Sequence, residues 1–380
     1  MKVILFSLAL SIIATTAPAL QFGDFTYEIN SPDTNTVTIT DYTGSGGAVV
    51  IPSVITNKTV TIIGYQAFFW CTDLTSVTIP DSVTTIWDRA FYRCTGLTSI
   101  TIPDSIVTIE SQAFQYCSNL TSMTIPDSVT TIGYEAFREC FSLSNVVIPD
   151  SVTTIEGGAF YLCTGLTNVT IPDSVVTIGN ETFHYCTNLT SVTIPDSVTT
   201  IRYQTFASCR SLTSITIPDS VVTIGMAAFQ SCTNLTSVTI PDSVTTIEGW
   251  AFFDCTSLTS VYYQGNAPSL GSDVFSGDDN ATVYYMLGTT GWGAMFGGRP
   301  TVLWNPLIQT GDSNFGVQAG AFGFNITESE SGLVVVEFCT NMIDDIWVPI
   351  ATNTMNNSSV YFSDPNYTNL QEGFYRLSMP

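Results

Sequence analysis

The chain has 380 residues, of which 44% are hydrophobic and 12% aromatic: enough apolar material for a packed core, and too much for a disordered chain. Nine Lys and Arg stand against 32 Asp and Glu, a net charge of −23. That balance excludes a nucleic-acid partner held through its phosphates, because such binding needs a basic patch.

Residues 1–19 carry a basic start at Lys2, an apolar run from Val3 to Ala14, and Ala17-Pro18-Ala19. This is the three-part pattern of a secretory signal peptide, cut before Leu20, and it predicts a secreted or cell-surface protein. The apolar run is too short to span a bilayer, and no later stretch of 18 apolar residues follows, so no membrane span is expected. Over residues 20–51, FTYEI and TVTIT flank NSPDTN, which predicts a β-hairpin cap.

Residues 52–265 are periodic. Cysteine falls at 71, 94, 117, 140, 163, 186, 209, 232 and 255, always 23 apart, and Phe68 to Phe275 keep the same step. A fixed period in this range, headed by L-x-x-V-x-I, is leucine-rich-repeat grammar. Each unit is one coil of a solenoid that buries its apolar side only by stacking on its neighbours. In the coil from Leu74 to Leu97, Leu74, Val77 and Ile79 are predicted to point inward and Ser76 and Thr78 outward, as a strand requires. Pro80 ends the strand, Asp81-Ser82 turn, and Val83 and Ile86 re-enter the core. Ala90, Phe91 and Cys94 form the return path. The expected fold is thus a repeat solenoid of about nine to ten 23-residue coils, mostly β, with short helical or 3₁₀ turns. The first coil is irregular, with five extra residues between Pro52 and Phe68. Residues 266–306 read as a C-terminal cap, which an open strand edge requires. Residues 307–380, with GLVVVEF, VYFSD and FYRLS between turn clusters, read as a small β-sandwich-like module.

Units such as IPDSVTTIGYEAFREC and IPDSVVTIGNETFHYC resemble the BspA-like class of leucine-rich repeats over roughly residues 50–265. The marks are I-P at the strand end, T-x-I-G, A-F and C-x-x-L; VYYQGNAP and GTTGWG resemble the caps of that class. Departures are small: Val147 replaces a strand Thr, and the Gly after Ile becomes Trp87, Glu110, Glu156, Arg202 or Glu248. The tail is similar to a short β-module appended to some secreted bacterial proteins. The resemblance implies non-catalytic adhesion or recognition of a protein or glycan on another cell or matrix surface. It transfers no catalytic residue and no cofactor. The competing expectation is a structural or surface-coating protein without a specific ligand.

The cysteine column has a chemical alternative at each step. Disulfides suit a secreted chain, but nine is odd and stacked coils hold equivalent Cβ atoms parallel and too far apart. No C-x-x-C pair occurs, and the only histidine is His184, which is expected to point away from the core while Cys186 points in. The cysteines are therefore expected to be small, buried, unbridged core residues. The column Asp81 to Asp242 reads as Asx-type turns after Pro. Asp150 and Asp173 are the candidates for a calcium site between coils, a reading weakened by the few oxygen ligands one column supplies. Outward Ser and Thr columns could order water, but an ice plane fits a concave sheet poorly. No G-x-S-x-G, H-E-x-x-H or P-loop is present, so no enzyme is expected.

The periodicity itself separates constant from variable positions. The strand text barely changes, whereas the segment around A-F changes in every coil. It holds Trp87, Arg89, Tyr92, Arg93, Tyr116, Tyr134, Arg138, Tyr161, Tyr185, Tyr203, Trp250 and Phe253. Aromatic and Arg side chains anchor binding hot spots, so these are the expected ligand contacts.

Overall fold

The computed structural model describes residues 19–318, 321–327, 332–340, 346–355, 359–366 and 373–380. The signal-peptide reading of residues 1–19 therefore falls, but for its last residue, outside the described residues. The chain is a right-through solenoid of about 11 turns of ~23 residues, followed by an all-β region.

A coil begins with the strand Leu74–Thr78, which lies parallel to Ser99–Thr101 with Val77 opposite Ile100. Leu74 and Val77 are buried and Thr78 is exposed, as alternation dictates. Pro80 closes the strand in a turn whose Val83 N–H donates to the Pro80 carbonyl (3.0 Å). A second strand follows that the sequence did not announce. Thr85–Ile86 is only two residues long, too short to show a period, yet its equivalents stack into a second parallel sheet.

The return path differs from the expected helical or 3₁₀ turns: among the described residues no helix forms. Its backbone alternates. The N–H groups of Ala90, Tyr92 and Cys94 donate to carbonyls three residues back. Those of Arg89, Phe91 and Arg93 donate to Ser111, Ala113 and Gln115 in the next coil. Arg89 and Arg93 carry positive φ (58° and 60°). A left-handed residue at every fourth position stops a right-handed helix from propagating and turns alternate N–H groups toward the neighbouring coil. The return path thereby becomes a third hydrogen-bonded ladder.

Inside these ladders lies one continuous apolar core. From Phe68 to Phe275 the rings stack at centroid distances of 4.9–5.6 Å, with planes within 20°. Polar side chains line up in the same way. Ser105, Ser128 and Ser151 donate to the Val83, Ile106 and Val129 carbonyls of the preceding coil. Thr98, Thr121 and Thr190 donate likewise to Thr75, Thr98 and Thr167.

At the N-terminal end Leu20–Phe22, Phe25–Ile29 and Thr36–Tyr42 form an antiparallel meander. Its last strand pairs in parallel with Lys58–Ile63, and Tyr42 heads the Phe stack at 5.1 Å. The extra residues of the first coil form a hairpin, Val54–Ile55 against Lys58–Ile63, with positive φ at both Thr56 and Asn57. At the other end, Ser260–Tyr263, Thr282–Met286 and Arg299–Trp304 extend the first sheet. There the outward Thr column gives way to Tyr262 and Tyr284, which stack at 5.0 Å. The tail is two antiparallel sheets, Leu307–Gln309, Gly316–Gln318, Ala321–Thr327 and Val360–Asp364 in one, Gly332–Cys339, Val348–Met355 and Phe374–Ser378 in the other. Its core residues Phe324, Val334, Val336 and Phe362 share one cluster with Tyr262, Tyr284 and Trp304. The Leu333 N–H donates to the Tyr262 hydroxyl (2.8 Å), and Trp304 Nε1 donates to the Leu333 carbonyl (3.2 Å). The tail therefore sits on the outward face of the first sheet at its last coils.

The cysteine ladder has a physical account in this geometry. From Cys94 to Cys255 each thiol lies 3.0–3.3 Å from the carbonyl of a Phe in the preceding coil and donates its S–H there. The nine cysteines of the column form no disulfide, and burial pushes Cys163 up to about 12. Cys fills the narrow place beside Phe and adds a weak donor that Ala or Val lacks. A thiol reagent is expected to label Cys71, the half-exposed end of the column, and little else from Cys94 to Cys255 until the protein is denatured. Mostly disulfides in non-reducing mass spectrometry would overturn this. Cys163→Ala should cost about 1–2 kcal/mol. Because the folded Cys163 thiol ionises later than an unfolded one, its contribution is present below pH 9 and is lost as pH rises toward about 12. The melting temperature should fall over that window.

Candidate recognition surface

The third ladder exposes a ridge of side chains between the two sheets, and its backbone is unusual. Two positions per coil are left-handed: the residue before A-F and the residue before Cys. They hold Arg89 and Arg93, Gln112 and Tyr116, Glu135 and Glu139, Glu181 and Tyr185, Gln204 and Ser208, Trp250 and Asp254, with φ between 50° and 63°. Glycine adopts this conformation freely, whereas other residues pay about 1–2 kcal/mol each. Gly158 and Gly277 show that glycine fits both columns. The chain nonetheless places long and aromatic side chains there. From such strained positions the side chains stand on the ridge.

The structure divides the twelve expected contact residues into groups. The first is a ladder at the N-terminal coils. Arg93 lies between the rings of Trp70 (4.8 Å) and Tyr116 (4.6 Å). Tyr92 stacks on Phe69 at 5.3 Å and meets Tyr116 edge-on at 5.5 Å. Arg89 donates to Gln112 (2.5 Å) and to the Tyr65 hydroxyl (3.2 Å). Tyr65, Phe69, Trp70 and Gln112 were not singled out from the sequence, because the first coil is irregular and a Gln in variable text gives no signal. Trp87 is 42% exposed and has no ring partner among the described residues.

A second group follows. Arg138 bonds Glu135 (2.5 Å) and Glu139 (3.3 Å) and covers Tyr161 at 4.3 Å. Tyr161 meets His184 edge-on at 5.1 Å, and His184 stacks on Tyr185 at 4.3 Å. His184 packs against the two ridge tyrosines, away from the buried Cys186 as expected, yet it is shielded from solvent at 8% exposure. Burial, with Arg138 nearby, lowers it to about 4, so at neutral pH it is uncharged and makes no ion pair with Glu181 3.9 Å away. Beside this group Gly157, Gly158 and Gly179 remove three side chains and leave a depression edged by Tyr134, Tyr161, Glu156, Glu181 and Arg202. Tyr134 is 50% exposed, and its N–H is held by Glu156 (2.8 Å). The third group is Tyr203, Trp250 and Phe253, which edge a cleft floored by Ala227.

The Asp column behaves differently from the Asx turns expected of it. The carboxylates of Asp81 to Asp242 are exposed and accept no hydrogen bond among the described residues; the neighbouring serines bridge the coils instead. No group of three or more Asp, Glu, His or Cys suited to a metal occurs among the described residues. Asp150 and Asp173 each face solvent, where a calcium ion would need several further oxygens.

A stack of parallel coils with one variable, side-chain-rich ridge defines a leucine-rich-repeat solenoid. Residues 47–167 and 153–282 match the model of the BspA type leucine rich repeat region, in six copies, and the chain belongs to that family. Among solved structures, a leucine-rich repeat protein from Bacteroides ovatus is 33% identical over 70% of each chain, with a TM-score of 0.66. A leucine rich cell surface protein from Faecalibacterium prausnitzii is 30% identical over 72% of this chain and 96% of its own, with a TM-score of 0.43. The leucine rich repeat protein of T. pallidum is 30% identical over 57% of this chain and 90% of its own, with a TM-score of 0.42. No curated protein matches the chain.

Millimolar calcium at constant ionic strength is expected to leave the melting temperature unchanged. A rise that disappears in Asp150→Asn with Asp173→Asn would instead establish a site between those coils, by linkage of binding to folding.

Proposed function

We propose that the protein is an extracellular or cell-surface recognition protein, non-catalytic, that binds a protein or glycan ligand through the ridge. The observation that carries this reading is the left-handed backbone. Among positions that Gly would occupy without steric strain, Arg89, Arg93, Gln112, Tyr116, Tyr185, Gln204 and Trp250 carry large side chains, and an observed outlier of this kind argues for a use of the side chain. Family membership supports a binding or recognition role. The secretory pattern of residues 1–19 supports a location outside the membrane, and no helix among the described residues is long and apolar enough to cross one.

The strand face offers less. It repeats Ser and Thr in most coils, with Asn145, Val147 and Asn168 as the departures among the middle strands, and its last coils are covered by the tail. A labelled chain lacking residues 1–19 should attach to cells or matrix from its natural setting. Trp87→Ser with Tyr92→Ser should weaken attachment by about tenfold or more, with little change in melting temperature. Thr101→Ala with Thr124→Ala should matter much less. If the strand-face changes abolish attachment and the ridge changes do not, the binding face is the sheet.

A further inference from the structure

Within the ridge, the aromatic residues differ in whether they are already engaged. Apart from Trp87, those of the N-terminal coils satisfy one another: Arg93 is held between Trp70 and Tyr116, Tyr92 between Phe69 and Tyr116, Arg89 by Gln112 and Tyr65. The group at Tyr203, Trp250 and Phe253 is not. None of the three makes a ring or cation contact among the described residues, and Trp250 is 45% exposed. They edge a cleft of about 440 Å³ whose remaining lining is Gln204, Ala227 and Gln230. That volume is in the range of small-ligand sites, about 300–1,000 Å³.

The cleft follows from one small residue. Gln204, Ala227 and Trp250 occupy the same left-handed column in three successive coils, with φ of 50°, 55° and 60°. The coil spacings here, read from the Phe stack, are 5.6 and 5.2 Å. Ala227 at the middle step leaves the space between its two neighbours open. The lining carries no charge. The side-chain amides of Gln204 and Gln230 have no hydrogen-bond partner among the described residues, and neither does the Trp250 indole N–H. Flat apolar walls with free amide donors and acceptors at their edges, and no ionic group, match one kind of ligand. A sugar ring presents a C–H face to an aromatic wall and hydroxyls to amides. The net charge of −23 argues against an anionic glycan.

We propose that this cleft binds a neutral carbohydrate, with Trp250 as the stacking wall and Gln204 and Gln230 as the hydroxyl partners. The proposal rests on the recognition reading above and names its ligand class. Trp250→Ala should fold, since Ala227 already holds that column with the same backbone.

The full chain is applied to an array of neutral oligosaccharides (cello-, chito-, manno- and dextran oligomers) beside alginate and sulfated oligomers, and bound sugars are then titrated by tryptophan fluorescence. At least one neutral oligomer should bind saturably, and the anionic ones should not. Trp250→Ala, and Gln204→Ala with Gln230→Ala, should each weaken that binding about tenfold or more at unchanged melting temperature, whereas Thr101→Ala on the strand face should not. Absence of neutral-glycan binding, or binding indifferent to Trp250→Ala, overturns the proposal. If the chain still attaches to its surface in that case, and attachment survives periodate oxidation of the surface sugars, the ridge recognises a protein and only the cleft assignment fails. Absence of attachment as well overturns the recognition reading itself.

Discussion

The molecule depends on one distance, the separation between successive coils. Parallel strands bond at about 4.7–4.9 Å, and stacked aromatic rings tolerate a spacing only slightly larger. The Phe column runs at 4.9–5.6 Å, so the interior and the sheets accept a common pitch. Every other regularity follows from holding that pitch. A side chain at a given position meets its own equivalent above and below, so a residue that packs or bonds well against itself can be used in every coil. Phe does so by stacking, Ser and Thr by donating to a carbonyl one coil back, and Cys by fitting beside Phe while its S–H meets a carbonyl. The monotony of the text is a solution to self-packing reused at each step.

The same constraint explains where variety is possible. Both sheets and the core are tied to the repeat, because a changed residue there faces two unchanged neighbours. The return path is tied through its backbone, which bonds to the next coil by alternate N–H groups. Its side chains at the left-handed positions stand outside the apolar core, although Glu135, Ser208 and Ala227 are buried there. They can therefore differ from coil to coil without disturbing the Phe stack. The chain uses that freedom unevenly: the first coils build an arginine–aromatic ladder satisfied within itself, and the later coils leave aromatic faces and amides unengaged around Ala227.

The ends show how a solenoid is stopped. The N-terminal meander covers the open edge with antiparallel strands and places Tyr42 on the first Phe. At the other end the outward column changes from Thr to Tyr262 and Tyr284, and these rings become part of the core of the tail. Two hydroxyl-bearing rings in place of two threonines convert a solvated sheet face into a docking surface.

How much was legible in the sequence depends on the range of the interaction. The 23-residue period, the inward set Leu74, Val77, Ile79, Val83 and Ile86, the buried cysteines and the N-terminal hairpin could be read directly, because alternation, proline and self-similarity are local signals. The ridge could be located as the variable segment, and its aromatics named. The second sheet could not be read, since a two-residue strand has no period. Nor could the turns: Arg89, Glu135 and Trp250 are poor indicators of positive φ, and only bonding to the next coil makes that conformation worth its strain. The sequence by itself thus determined the repeat, the buried face and the strip left free to vary. Only the tertiary structure decided which ridge residues occupy one another and which stand open. Those pairings run between residues about 23 apart, across a coil spacing that no single coil contains.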